Sequence, residues 1–118
     1  MFFRFDPQIF LEIAKILKDN VNFDDVGRYR TSIGRAYYAA FLFSREKTGK
    51  IFDSEGQHKA VREYYKFIKR RDDIADFLNQ LFELRVDADY KLNKKITKTE
   101  CEHCIALSDI IITLIDNL

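Results

Sequence analysis

Residues 35–43 read RAYYAAFLF, one arginine followed by eight uncharged residues, in a chain of 118 residues of which 33% are charged. A membrane-spanning helix needs about 20 apolar residues, so this segment is too short to cross a bilayer and must find its apolar surroundings inside protein. Around it Ser32, Ala36, Ala40 and Ser44 recur every four residues, which on a helix makes a ridge of small side chains that a second helix can approach closely. Tyr37, Phe41 and Phe43 project beside that ridge. A helix that is apolar on all sides over two turns is enclosed by its neighbours. The segment therefore predicts the central helix of a bundle, and Arg35 and the tyrosine hydroxyls are the polar groups in it that require partners.

The flanking sequence supplies the other helices. Asp6 before Pro7 is an N-cap with proline at the first helical position, and Ile9, Ile13, Ile16 and Leu17 form an apolar stripe reaching about Asn20. The central helix starts near Asp24 or Asp25 and stops between Lys47 and Gly49, where glycine suits a left-handed cap. Ser54 with Gln57 reads as a capping box for a third helix, HKAVREYYKFIKR, and RDD at 71–73 breaks it from a fourth that runs to about Asn93. Thr97 with Glu100 is a second capping box, opening a last helix with Ile105, Ser108, Ile112 and Ile115 on one side. The fold class is all-α, an up-and-down four-helix bundle with an additional C-terminal helix, in one domain over residues 1–118.

Composition narrows the functions available. Lys plus Arg outnumber Asp plus Glu by only 20 to 19, so no global field draws the chain to nucleic acid or to an anionic membrane, and any charge preference must be local. The N-terminal MFFRFDPQIF lacks an apolar run with a small-residue cleavage site, and the expected location is cytoplasmic without membrane contact. A single CxxC, CEHC at 101–104, has too few partners for a closed zinc site, and its cysteines read as small core hydrophobes. No cofactor or metal is expected, and no glycine-rich phosphate loop or Ser-His-Asp set is present.

Helix four carries the sharper anomaly. Ile74, Leu78, Leu81, Arg85, Ala88 and Leu92 follow a heptad-like spacing that should face the core, which places a guanidinium at a core position. Such a group must meet a carboxylate, line a wet groove or receive an anionic ligand, and Asp89 at i+4 is the nearest partner, with Asp87 and Tyr90 close by. On helix three, Lys59, Arg62, Lys66 and Lys69 form a basic stripe that continues into Arg70 and Arg71. It can track an RNA backbone or an acidic partner, although an ordinary solvated face is the preferred reading of a near-neutral chain.

The runs SIGRAYYAAFLFSRE, GQHKAVREYYK and LFELRVDADY, followed by a closing apolar helix, resemble a HEPN domain of the small stand-alone prokaryotic type over about residues 28–115. The resemblance implies a helical bundle that often forms a homodimer and frequently pairs with a small nucleotidyltransferase, commonly as a toxin-antitoxin couple. In many members it also implies metal-independent RNA cleavage. RNA-cleaving HEPN proteins carry an Arg followed after four to six residues by His, whereas Arg85 is followed by VDADYKLN with Tyr90 at the fifth position. The pairing makes chemical sense because attack by a 2'-hydroxyl needs proton transfer near neutral pH and a cation for the developing charge. Tyrosine, with an ordinary pKa near 10, is a poor base but can donate a hydrogen bond to phosphate.

Three functions follow. The preferred one is a non-cleaving module that binds RNA, nucleotide or a nucleotidyltransferase through Arg85, Asp89 and Tyr90, with Arg35, Tyr38, Lys59, Arg62 and Lys66 as further binding candidates. The second is an endoribonuclease in which Arg85 acts with Tyr90 or His58 in place of the missing base; a histidine at a helix start otherwise caps or faces solvent. The third is a structural dimerisation bundle with Arg85 and Asp89 paired internally. Tyr37, Tyr38 and Tyr90 are candidate acceptors of nucleotide transfer by a partner.

Overall fold

The computed structural model describes residues 5–118, and the part of the N-terminal signal reading that falls on residues 1–4 lies outside them. Five helices follow one another: α1 (Gln8–Asp19), α2 (Asp25–Lys47), α3 (Gln57–Glu63), α4 (Asp72–Tyr90) and α5 (Lys98–Asp116), with a π-helical turn at Tyr64–Ile68 continuing α3. The described residues contain no strand, and the all-α bundle with a C-terminal helix is the architecture expected from the sequence.

RAYYAAFLF lies in the middle of α2, 23 residues or about 34 Å long, against which α1, α4 and α5 all pack. Each member of the small ridge, Ser32, Ala36, Ala40 and Ser44, is fully buried. Close approach is visible at Ser32, whose hydroxyl donates to the Ala14 carbonyl of α1 at 2.6 Å. Ser44 donates back to Ala40 at 2.6 Å, and its own carbonyl accepts from the buried Tyr65 hydroxyl at 2.6 Å. These bonds satisfy polar groups that burial would otherwise leave costly.

Helix ends follow their capping residues in most places. The Asp6 carboxylate accepts from the Gln8 N–H at 3.0 Å, Asp24 from Gly27 at 3.1 Å, and Thr97 and Glu100 form a reciprocal capping box. Gly49, at φ 68°, supplies the left-handed residue after α2. Ser54 does not cap α3. Gly56, at φ 75°, stands immediately before Gln57 with no side-chain cap, because the turn into the helix occurs too late in the chain for Ser54 to reach it.

Four other expectations are corrected. Helix three is not one regular helix to residue 70, since its turns widen at Tyr64–Ile68, where the Lys69 N–H bonds to the Tyr64 carbonyl at 3.2 Å. Regular α spacing would carry Ile68 inward behind Val61 and Tyr65; the extra residue leaves Ile68 63% exposed, beside Phe67 at 61%. Arg70 then takes a left-handed conformation at φ 58°, one that an L side chain adopts at a cost of about 1–2 kcal/mol, and turns the chain toward α4. In α1 the buried residues are Leu11 and Ala14, while Ile9, Ile13 and Ile16 stand exposed, because α2 and α5 cover only the other side of a short helix. Finally α4 stops at Tyr90, and Leu92 is 80% exposed.

The α4 end has a specific cause. Arg30 of α2 reaches across and donates from Nη1 to the carbonyls of Ala88 at 2.9 Å and Lys91 at 3.2 Å, and from Nη2 to that of Lys94 at 2.5 Å. One guanidinium thus satisfies carbonyls that the helix end leaves free and places a positive charge at the negative end of the helix dipole. The heptad positions before it behave as predicted: Ile74, Leu78, Leu81 and Ala88 are buried, and Arg85 sits among them with its side chain 12% exposed.

Candidate functional site

Arg85 is held from two sides. Its Nε donates to the Asp89 carboxylate at 2.9 Å, one turn later on α4, and its Nη2 donates to the Tyr38 hydroxyl of α2 at 3.0 Å. The guanidinium carbon also lies 5.7, 5.1 and 5.6 Å from the ring centres of Tyr37, Tyr38 and Tyr90, a cluster of π faces that favours a cation. Both adjacent tyrosines of RAYYAAFLF therefore address the arginine of α4. Gly34 lies beside this pair: a Cβ there would sit 3.4 Å from the Asp89 carboxylate, in ordinary contact.

Behind Arg85 lies an aromatic pocket containing His58. The imidazole stacks on Phe41 at 4.2 Å between ring centres and also packs against Tyr37 and Phe82. Its Nδ1 is 2.5 Å from the Tyr37 hydroxyl. Burial pushes the Tyr37 phenol well above its ordinary 10, and burial together with Arg85, Arg62 and Arg45 holds His58 below its ordinary 6.5. Both groups are thus neutral at pH 7. A protonated phenol donating to Nδ1 leaves the imidazole hydrogen on Nε2. His58 is neither a helix cap nor a surface residue, and in this tautomer Nε2 is a donor rather than a base.

The remaining predicted residues divide into two groups. Arg35 stands over Phe10 and Tyr38 at 4.8 and 5.2 Å, beside the Arg85 cluster. Arg62 lies 5.1 Å from the Phe82 ring centre, with a buried Nη1 that has no hydrogen-bond partner among the described residues. Lys59 and Lys66 are not gathered at Arg85. They line a separate groove of about 280 Å³ between α3, the π turn and α4, together with Arg62, Glu63, Phe67, Ala75, Asp76 and Asn79. Arg62 belongs to both groups. Of the three candidate acceptor tyrosines, Tyr37 is 1% exposed and Tyr90 67% exposed, while Tyr38 is occupied by Arg85.

Cys101 and Cys104 are free and buried. Burial raises both thiol pKa values, that of Cys104 to about 12. Among the described residues no cluster of three His, Cys, Asp or Glu side chains is arranged for a metal ion, and no helix is long and apolar enough to cross a membrane.

Sequence reasoning missed the Tyr37–His58 pair, the pocket aromatic Phe82 and the Arg30 clamp. The first had a signal, since a tyrosine in an enclosed helix requires a hydrogen-bond partner and the chain has only two histidines. Arg30 had none, because its acceptors are backbone atoms about 60 residues away.

Similarity to known proteins agrees with this architecture. An uncharacterized protein of Methanocaldococcus jannaschii, MJ0628, is 27% identical over 124 aligned positions, which cover 89% of this chain and 75% of the relative. A second from the same organism, MJ0992, is 32% identical over 117 positions, covering 81% of this chain and 66% of the relative. The family description of the HEPN domain, a helical module of nucleotide- and RNA-related proteins, matches residues 10–118. With a match over nearly the whole chain, the protein belongs to the HEPN domain family.

Proposed function

We infer that the protein is a phosphate-recognising HEPN module whose ligand is RNA or a nucleotide, bound at the side-chain cluster around Arg85. The observation that carries this reading is a local imbalance of charge. Four guanidiniums, those of Arg35, Arg45, Arg62 and Arg85, stand around the aromatic cluster, and among the described residues only two carboxylates pair with any of them, Asp89 with Arg85 and Glu46 with Arg45. A purely structural role would need only the Arg85–Asp89 pair. A phosphate would instead receive bidentate donation from guanidinium groups and a further donor from His58 Nε2. Pairing with a small nucleotidyltransferase in a toxin-antitoxin couple, homodimerisation and a cytoplasmic setting fit the same reading.

The test is thermal unfolding of the wild type and Arg85→Gln, each with and without a short single-stranded RNA or ATP. A ligand at 100 times its dissociation constant stabilises the folded state by about 2.7 kcal/mol. The expected result is an upward shift for the wild type and none for the variant. An equal shift in both proteins, or none in either, overturns the proposal.

A second reading, metal-independent RNA cleavage, has one observation in its favour: a neutral imidazole lies beside the arginine. It requires the Tyr37–His58 hydrogen bond to reverse, so that Nε2 becomes free to accept a proton. Products ending in a 2',3'-cyclic phosphate, lost in both His58→Gln and Arg85→Gln, would establish it.

A further inference from the structure

The groove between α3 and α4 is lined by one aromatic ring, Phe67, and Arg62 links it to a second, Phe82. Phe82 packs beneath the Arg62 guanidinium at 5.1 Å from its ring centre, next to the His58 pocket. Phe67 of the π turn stands 61% exposed with the Lys66 ammonium 5.5 Å from its ring centre. Along α4 the wall is Ala75, Asp76 and Asn79, and Phe82 and Arg85 follow at three-residue steps beyond the groove on the same face of the helix. The nine steps from Asp76 to Arg85 rise about 13 Å, the reach of a few nucleotides.

Unpaired cations follow one another along this path, whereas those elsewhere among the described residues, Arg35, Lys50, Lys95 and Lys98, are scattered over different parts of the chain. Lys15 and Lys18 on α1 are paired with Asp109 and with Asp19 and Glu102, and Lys91 and Lys94 both reach Asp87. Among the described residues, Lys59, Arg62, Lys66, Lys69 and Arg70 form no ion pair, although Glu63 and Asp76 also line the groove. The contrast with the other exposed apolar strip, Ile9, Ile13 and Ile16, is direct, because the lysines of that helix already have acidic partners. An exposed ring among unpaired cations suits a single strand: its phosphates follow the charges, and any base can stack on the ring.

We propose that the α3–α4 groove is a second subsite for single-stranded RNA, in which Phe67 of the π turn stacks on a base while Lys59, Arg62 and Lys66 hold the phosphates that lead toward Arg85. This deepens the Arg85 reading and rests on it for the direction of the strand. The π turn then acquires a role, since it leaves Ile68 exposed beside Phe67 and enlarges the apolar surface there.

The experiment uses the full chain, which contains no tryptophan, so Phe67→Trp introduces a single reporter at an exposed position. A short single-stranded RNA is titrated into this variant while tryptophan emission is followed. Affinity is measured by anisotropy for the wild type, Phe67→Ala, Lys59→Gln/Lys66→Gln and Arg85→Gln. Expected results are saturable quenching by RNA but not by inorganic phosphate, about tenfold weaker binding for Phe67→Ala, and a salt slope reduced by roughly 1.4 in the double lysine variant. If RNA binds and Arg85→Gln weakens it, but tryptophan is not quenched and the Phe67 and lysine variants bind as the wild type does, the subsite is overturned and the Arg85 reading stands. If the Phe67 and lysine variants weaken binding and Arg85→Gln does not, the subsite stands and the Arg85 reading falls. No RNA binding to the wild type at low salt overturns the subsite.

Discussion

The Tyr37 hydroxyl and His58 Nδ1 lie 2.5 Å apart, joining the central helix to the start of α3 inside an aromatic pocket and fixing which imidazole nitrogen carries hydrogen. His58 is held below its ordinary 6.5 chiefly by burial and further by Arg85, Arg62 and Arg45. Facing it are Tyr37, Tyr38 and Arg45 from α2, Arg62 from α3, and Arg85 with its paired Asp89 from α4. The unfolded chain therefore binds a proton here more readily than the folded chain does. The stability associated with neutral His58 is fully present above about pH 6.5 and is lost as pH falls through the lower folded value. Melting temperature is expected to drop as pH falls below about 6.5, and His58→Gln is expected to flatten that slope; an unchanged slope in the variant would refute the assignment.

Asp89 competes with any anion for Arg85. Asn in its place keeps the shape and removes the charge, so Asp89→Asn is expected to lose no more than about 1 kcal/mol of stability from a partly exposed i,i+4 pair. The same change is expected to bind RNA or phosphate several-fold more tightly. A titration showing weaker binding would make Asp89 a ligand-positioning group instead.

Gly34 sits in a helix interior where glycine costs about 1 kcal/mol relative to alanine. A Cβ would meet the Asp89 oxygens at 3.4 and 3.8 Å, which is ordinary contact, so Gly34→Ala is expected to raise stability by about 0.5–1 kcal/mol without loss of binding. Gly34→Leu is expected to displace Asp89 and change anion affinity. Denaturant melts and binding titrations on the two variants check both statements.

Arg30→Met retains much of the side-chain packing but abandons the carbonyls at the end of α4. Hydrogen bonds to a charged group contribute roughly 1.5–3 kcal/mol, and a loss in that range is expected, with faster amide exchange at Tyr90 and Lys91 as the local signature. A melt identical to the wild type's would show that solvent replaces the clamp fully.

Much of the fold was readable from sequence because it rests on short-range rules. The small ridge of α2, the Thr97–Glu100 box and the α5 stripe each involve residues within one helix, and each holds. Ser54 and the α1 stripe failed because tertiary placement decided them: Gly56 delayed the start of α3, and only one side of α1 is covered. At the candidate site, the Arg85–Asp89 pair was legible as an i,i+4 neighbour. The contact of Arg85 with Tyr38 crosses 47 residues and no spacing rule reaches that far. The π turn was hidden for a related reason, since HKAVREYYKFIKR has good helical composition and no spacing rule marks an extra residue in a turn.

The buried thiols of Cys101 and Cys104 have a practical consequence. Thiolate is the reactive form, and burial that pushes the Cys104 thiol to about 12 leaves almost none of it at neutral pH, on a helix packed against the centre of the molecule. A thiol reagent can then gain access only when α5 parts from α2. The rate of labelling becomes a clock for opening of the whole bundle, built into the native chain without any introduced probe.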